Sequence, residues 1–187
     1  KKPIPLGKSN NDYTCSLVKQ IHDMNQGIYL ESGLLDTVPT DFCIGVGGYP
    51  EKHFEAPNMK IDIDFLKAKV DAGAHYIVTQ MFYNNKSFFE FVDKCRNAGI
   101  TVPIIPGMKI LTSKHHLKSL PKDFSIDIPE SLAEEVLKSD AKNVMDIGVE
   151  WAFKQCEELI NRGVPAMHFY VLQNVTPIIK LMKKLNL

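Results

Sequence analysis

An apolar run ending in Gly47-Gly48 opens directly into Tyr49-Pro50-Glu51-Lys52-His53-Phe54-Glu55-Ala56. A phenol, an imidazole, an ammonium and two carboxylates in so short a stretch can donate, accept and carry protons. A tight turn after a strand is the plain alternative, but it does not need so many polar groups. The segment Gly45-Val46-Gly47-Gly48 is not a dinucleotide fingerprint, because the third glycine is missing and no helix follows directly. Asp62 and Lys69 share one helix face, where solvated surface is the ordinary reading. Gln80 interrupts the apolar run 76–83, and a buried amide must find partners, structural or ligand. His168 and Tyr170 interrupt a later apolar run, where a core histidine with a local partner is the usual explanation. His115 and His116 read as surface. The six histidines lack ligand spacing, and neither a phosphate-binding loop nor a nucleophile elbow is present.

These side chains need elements to hold them. Residues 42–48, 76–83, 102–107 and 167–172 read as strands, apolar on successive positions as in parallel strands covered on both faces. Helical spacing predicts helices over 13–24, 61–72, 87–98, 113–120, 129–138, 141–162 and 177–185. Gly73, Gly99 and Gly163 stand where C-terminal caps belong, and Pro121 ends the fourth helix. Residues 3–11 and 31–40 read as loops. Alternating strands and helices imply an α/β fold with a parallel sheet and right-handed crossovers, either a small doubly wound sheet or half of an eight-stranded barrel. In both, a ligand site belongs at the carboxyl ends of the strands.

Composition narrows the classes. With 22 basic and 22 acidic residues among 187, the long-range field of a nucleic-acid binder is absent. No apolar run spans a bilayer and residues 1–13 are polar without an apolar core, so neither a signal peptide nor a membrane partner is expected. Cys15, Cys43, Cys95 and Cys156 are scattered, expected as buried or half-buried thiols in a reducing cytoplasm, with no metal site among them.

Longer motifs go further. Gly48-Tyr49-Pro50-Glu51-x-His53-x-Glu55-Ala56, then Leu66-Lys67-x-Lys69-Val70-x-Ala72-Gly73-Ala74, then Ile77-x-Thr79-Gln80-x-Phe82 resembles the methylenetetrahydrofolate reductase family in order and spacing. Ala98-Gly99-Ile100, Ile104-Ile105-Pro106-Gly107 and His168-Phe169-Tyr170 extend the likeness to nearly the whole chain. The resemblance implies a (β/α)8 TIM barrel, of which residues 1–187 are the second half of the catalytic domain, strands five to eight. It also implies a flavoprotein oxidoreductase of one-carbon metabolism with noncovalent FAD. NADH or NADPH, neither with a separate fingerprint here, would reduce the flavin and leave. 5,10-methylenetetrahydrofolate would then take the hydride in a ping-pong cycle, giving 5-methyltetrahydrofolate.

By position, the resemblance gives Tyr13, Thr14, Tyr49, His53, Glu55, Ala56, Asp62 and Lys69 to the flavin, with alanine commoner than threonine at position 14. Gln80 falls on the glutamine that meets the pterin, and His116 lies near a second substrate position where glutamine is common. Leu120 stands where an aromatic packs on NAD(P)H, and Val171-Leu172-Gln173-Asn174 where a basic residue often reaches the folate tail. The family's proton-donating glutamate and flavin-side aspartate would both precede Lys1. The expectation is therefore no catalytic residue in this chain, and a missing N-terminal half that is cut away or lies on another chain. A noncatalytic flavin or nucleotide module is the alternative, and a homo-oligomer is compatible with either.

Overall fold

Strand β2 (Tyr76–Met81) is the hub of a parallel sheet ordered β1-β2-β3-β4, with β1 at Gly45–Gly48, β3 at Ile104–Met108 and β4 at His168–Phe169. The computed structural model describes residues 11, 13–31 and 33–187, so nearly all of the loop expected over 3–11 lies outside the described residues. Helices α1 (Thr14–Asn25), α2 (Met59–Asp71), α3 (Asn85–Asn97), α4 (His116–Phe124), α5 (Glu130–Lys138), α6 (Val144–Asn161) and α7 (Thr176–Lys184) complete the order. No helix among the described residues is long and apolar enough to cross a membrane.

Burial alternates along β1 and β2, while β3 is buried at every position but Ile105. Val46, Ile77, Thr79, Met81, Ile104 and Met108 are buried, while Gly45 and Gly47 are exposed and Val78, Gln80 and Ile105 are only half-covered. One face thus packs on the helices and the other is a shallow, partly open surface. The expectation of strands covered on both faces therefore fails for β1 and β2 and nearly holds for β3, and Val78 and Ile105 keep the second face apolar. The covered face is filled by Phe82, Phe88 and Phe91, with the first two rings stacked at 5.2 Å. Each such ring contributes about 2–3 kcal/mol of burial.

The β2–β3 ladder has one irregularity. Val78 pairs with Ile105, but Met81 pairs with Gly107, so β2 carries one extra residue. Pro106 explains it: lacking an N–H, it cannot donate to β2 at that step. The next donor, Gly107 N, goes to Thr79 Oγ1 at 2.9 Å. The freed Thr79 carbonyl accepts from the Tyr170 hydroxyl at 2.9 Å. Gly107 has to be glycine, since a Cβ there would sit 2.0 Å from that same carbonyl oxygen.

Several boundaries differ from the sequence pattern. Helix α4 runs through Pro121 to Phe124, held by buried Leu120 and ended by Ser125 in the left-handed region at φ +54. Strand β4 keeps only two residues, extended by one bond from Tyr170 N to Met108 O at 2.8 Å. Cys43 precedes β1 and is exposed. The backbone there is tied to α1 instead, with the Asn25 amide exchanging bonds of 2.9 Å with both polar groups of Phe42. His168 is exposed, its ring edge-on to Tyr170 at 4.7 Å, so it is not a core histidine.

Helix α6 closes the layer. Asn85 Nδ2 donates to Gln155 O at 3.0 Å and to Glu158 Oε2 at 2.8 Å, while Gln155 Nε2 donates to Asn85 Oδ1 at 3.1 Å. Trp151 Nε1 donates to Tyr83 O at 2.9 Å. At the helix's other end Gly148 meets Leu111, where an added Cβ would stand 1.8 Å from the carbonyl oxygen. Alanine normally improves a helix by about 1 kcal/mol over glycine. Here backbone against backbone cannot yield, so Gly148→Ala is expected to lose about 2 kcal/mol net. A urea midpoint unchanged or raised by the substitution would show that α6 sits farther from Leu111.

Candidate functional site at the carboxyl ends of the strands

The loop after β1 is built by three anchors. Asn58 caps α2, its Oδ1 accepting from Ile61 N at 3.0 Å. Asp62, buried in the first turn of that helix, accepts from His53 N at 2.9 Å. Lys52 donates from Nζ to His53 O at 3.0 Å and to Ala56 O at 2.6 Å. To reach both carbonyls, Lys52 takes φ +77, a conformation that costs a residue with a side chain about 1 kcal/mol. The Tyr49 and His53 rings meet edge to face at 4.5 Å.

His53 Nδ1 accepts from Glu55 N at 3.3 Å. The Glu55 carboxylate lies 3.9 Å from the same nitrogen.

Lys69 stands two turns along α2 from Asp62, and its Nζ donates to Gly47 O at 3.0 Å. Burial lowers its pKa, opposed by the negative charge of Asp62 and the Cys15 thiol. Burial raises the pKa of Tyr49, as do the carboxylates of Asp62 and Glu55, so the phenol keeps its proton.

Together these residues line a cleft of about 540 Å³ that takes in Tyr13, Thr14, Tyr49, His53, Glu55, Ala56, Asp62 and Lys69. All eight positions expected to share one ligand thus share one cavity. Cys15, Phe65 and Ala68 complete its walls. Sequence reasoning missed them, although Phe65 lies between Asp62 and Lys69 at helical spacing.

Gln80 lies outside the cleft, against the other side of Tyr49, with Glu51, Phe124 and Ile126 nearby. Its Oε1 accepts from Met81 N at 3.0 Å, and among the described residues its amide donors on the half-open face have no partner. Glu51 braces this region by accepting from Asp127 N at 2.8 Å, and burial raises its pKa. His116 is not brought to Gln80. It begins α4 in a separate cavity of about 520 Å³ shared with Lys109, Tyr170 and Asn174. Among the described residues no group of three or more His, Cys, Asp and Glu gathers as for a metal ion.

A parallel α/β sheet with an aromatic-lined cleft of mixed charge at its strand ends belongs to the class that holds ligands outside the carboxyl edge. The chain belongs to the methylenetetrahydrofolate reductase family, whose profile it matches over residues 7–186. It is 39% identical over 142 residues to 5,10-methylenetetrahydrofolate reductase of Salmonella typhimurium, covering 75% of this chain and 48% of that protein. It is 36% identical over 149 residues to probable methylenetetrahydrofolate reductase (NADPH) of Caenorhabditis elegans, covering 78% of this chain and 22% of that protein. Over 142 residues it is 35% identical to methylenetetrahydrofolate reductase (NADH) 1 of Arabidopsis thaliana, covering 70% and 24%. The chain therefore spans about half the length of the bacterial relative and about a quarter of the other two. A solved structure from Clostridium thermocellum, described as binding two copies of 5-methyl-5,6,7,8-tetrahydrofolic acid, shares the fold at TM-score 0.52 and 20% identity, over 76% of this chain and 52% of that one.

The Lys52 clamp and its backbone strain can be separated. Lys52→Met loses both bonds and keeps the strain, whereas Lys52→Gly loses the bonds and relieves it. The glycine variant is expected to be the more stable by about 1 kcal/mol in chemical denaturation. Equal stability would mean that φ at this position carries no cost.

Proposed function

We propose that this chain carries the flavin- and pterin-holding part of a methylenetetrahydrofolate reductase, an oxidoreductase that converts 5,10-methylenetetrahydrofolate to the 5-methyl form. The observation that carries the reading is the convergence of the eight flavin-assigned positions on the one cleft containing Lys69. The family relatives are reductases by name, with NADPH in one and NADH in another. That a protein sharing the fold is described as binding 5-methyl-5,6,7,8-tetrahydrofolic acid is consistent with a folate ligand here.

The cleft suits FAD. Lys69 is a partly desolvated ammonium with one carbonyl partner, Gly47 O, so further donors remain for diphosphate oxygens. Asp62, already fixed by His53 N, presents a carboxylate suited to ribose hydroxyls. Ala56, Phe65 and Ala68 supply an apolar wall. FAD would supply a two-electron relay between NADH or NADPH and the folate.

The protein's share is placement. Tyr49 stays a neutral phenol between the flavin cleft and Gln80, able to touch ligands on both sides. Gln80, its own oxygen occupied by Met81 N, offers amide hydrogens to pterin acceptors. No residue among these is assigned as the proton donor. We place the protein in the reducing cytoplasm, which suits its four free cysteines.

The protein incubated with FAD and freed of excess is expected to keep a visible flavin band. NADH or NADPH added without oxygen should bleach it, and methylenetetrahydrofolate should restore it. A colourless protein would refute the flavin assignment, and a band that never bleaches would make the chain a binding module.

Lys69→Met is expected to weaken FAD binding roughly tenfold. A pH dependence should go with it. The pKa of Lys69 lies below its ordinary value in the free protein, so the charged form that attracts phosphate is lost early as pH rises. FAD affinity should fall on the alkaline side, beginning below the usual lysine range, and this limb should flatten in Lys69→Met. The same alkaline limb in both proteins would assign it to another group.

A further inference from the structure

A further cavity, of about 320 Å³, opens between the start of α3 and the middle of α6, with Pro129 at its edge. Most acceptors on its wall are taken. Trp151 Nε1 occupies Tyr83 O, Asn85 Nδ2 occupies Gln155 O, Gln155 Nε2 occupies Asn85 Oδ1, and Lys86 N occupies Asn84 Oδ1. Glu158, the one carboxylate of the lining, is exposed. Its Oε2 accepts from Asn85 Nδ2 at 2.8 Å, and its Oε1 lies 3.8 Å from the Arg162 guanidinium.

Gln155 Oε1 is the exception. The residue is only 7% exposed, and both amide hydrogens are spent on Phe82 O and Asn85 Oδ1. Nothing among the described residues donates to the oxygen. It is not sealed, since the one sealed side-chain atom without a partner among the described residues is the Tyr83 hydroxyl. The oxygen therefore opens on the cavity that Gln155 lines. A buried acceptor so placed calls for an N–H or O–H donor.

The remaining lining narrows the donor's identity. The Trp151 and Pro129 rings are half-buried flat apolar surfaces, of the kind on which a planar ring stacks. Lys154 is exposed at the rim, 3.9 Å from Glu150, which Lys184 holds more closely at 2.8 Å. Asn84 caps α3, whose first turn brings the positive end of a helix dipole to the same wall. A ligand cation would meet both of these positive groups, whereas an anionic group would be drawn to them. The volume lies at the lower end of small-molecule sites, which span about 300–1,000 Å³.

We infer that this cavity is a nucleotide site separate from the cleft that holds Lys69. The base lies against Trp151, an exocyclic amino group donates to Gln155 Oε1, and the phosphate reaches Lys154. A free adenylate and the adenylate half of a pyridine dinucleotide share this chemistry.

Trp151 is the chain's single tryptophan, so its emission reports on this cavity directly. The purified protein is titrated with AMP, with adenosine, and with AMP dimethylated on the amino nitrogen, which keeps ring and phosphate but has no amino hydrogen. AMP is expected to change the emission saturably, and the dimethyl compound to bind roughly tenfold more weakly. Adenosine should bind several-fold more weakly than AMP, and Lys154→Met, at an exposed position, should erase that difference. Lys69→Met should leave AMP binding unchanged. Displacement of AMP by NAD would assign the site to a dinucleotide's adenylate half, and AMP binding that NAD leaves alone would assign it to a free nucleotide. Emission indifferent to AMP would overturn the site. Equal binding of AMP and its dimethyl analogue would do the same, as would AMP binding that Lys69→Met abolishes and Lys154→Met preserves in full.

Discussion

A single absent hydrogen-bond donor organises the centre of the sheet. Pro106 lies in an inner strand, where each backbone N–H is ordinarily needed by a neighbour. Because it has none, β2 bulges by one residue at Thr79–Gln80, and three groups gather around the irregularity. Thr79 Oγ1 takes the Gly107 N–H, the Tyr170 hydroxyl takes the Thr79 carbonyl, and the bare Cα of Gly107 lets the two strands approach. Bulges commonly sit beside active sites because they re-aim a side chain. Here the re-aimed side chain is Gln80, and Tyr170 ties it mechanically to β4.

Around this centre, the loop after β1 faces the opposite requirement of holding a polar cluster still. Helix α2 does most of this through its two ends. Asp62 in the first turn fixes His53, and Lys69 farther along reaches back to Gly47, so one helix grips both the base and the tip of the loop. Tyr49 then lies between two spaces, the cleft that holds Lys69 and Asp62 and the shelf that carries Gln80. The edge of the sheet is a row of neighbouring compartments with different chemistry, divided by aromatic side chains.

Much of this was legible in the residues, and the exceptions have physical causes. Helical spacing placed α2, α3 and α6 to within a few residues, because their apolar faces really do pack on the sheet. Asp62 and Lys69 read as one helix face for the same reason. Their grouping with Tyr13, Tyr49 and His53 came only from family resemblance, since the 36 residues between Tyr13 and Tyr49 on one cleft leave no local pattern. Pro121 read as a stop, yet the buried Leu120 outweighs one lost donor. Strand β4 read too long because an apolar run does not reveal where pairing ends. Nothing local marks Lys52 for φ +77, which follows from where its Nζ must reach.

The amide clasp between Asn85 and Gln155 has a consequence for α6. Leucines, valines and cysteines can slide past one another by a helical turn at modest cost, since apolar contact has little directional preference. A reciprocal pair of amides, joined by Glu158 and by Trp151 on Tyr83 O, is satisfied at one axial position only. Displacement by one turn would leave several buried polar atoms without partners. The clasp therefore works as a vernier. It fixes the longest helix lengthwise against the loop after β2, and so sets the depth at which the carboxyl end of that strand is held.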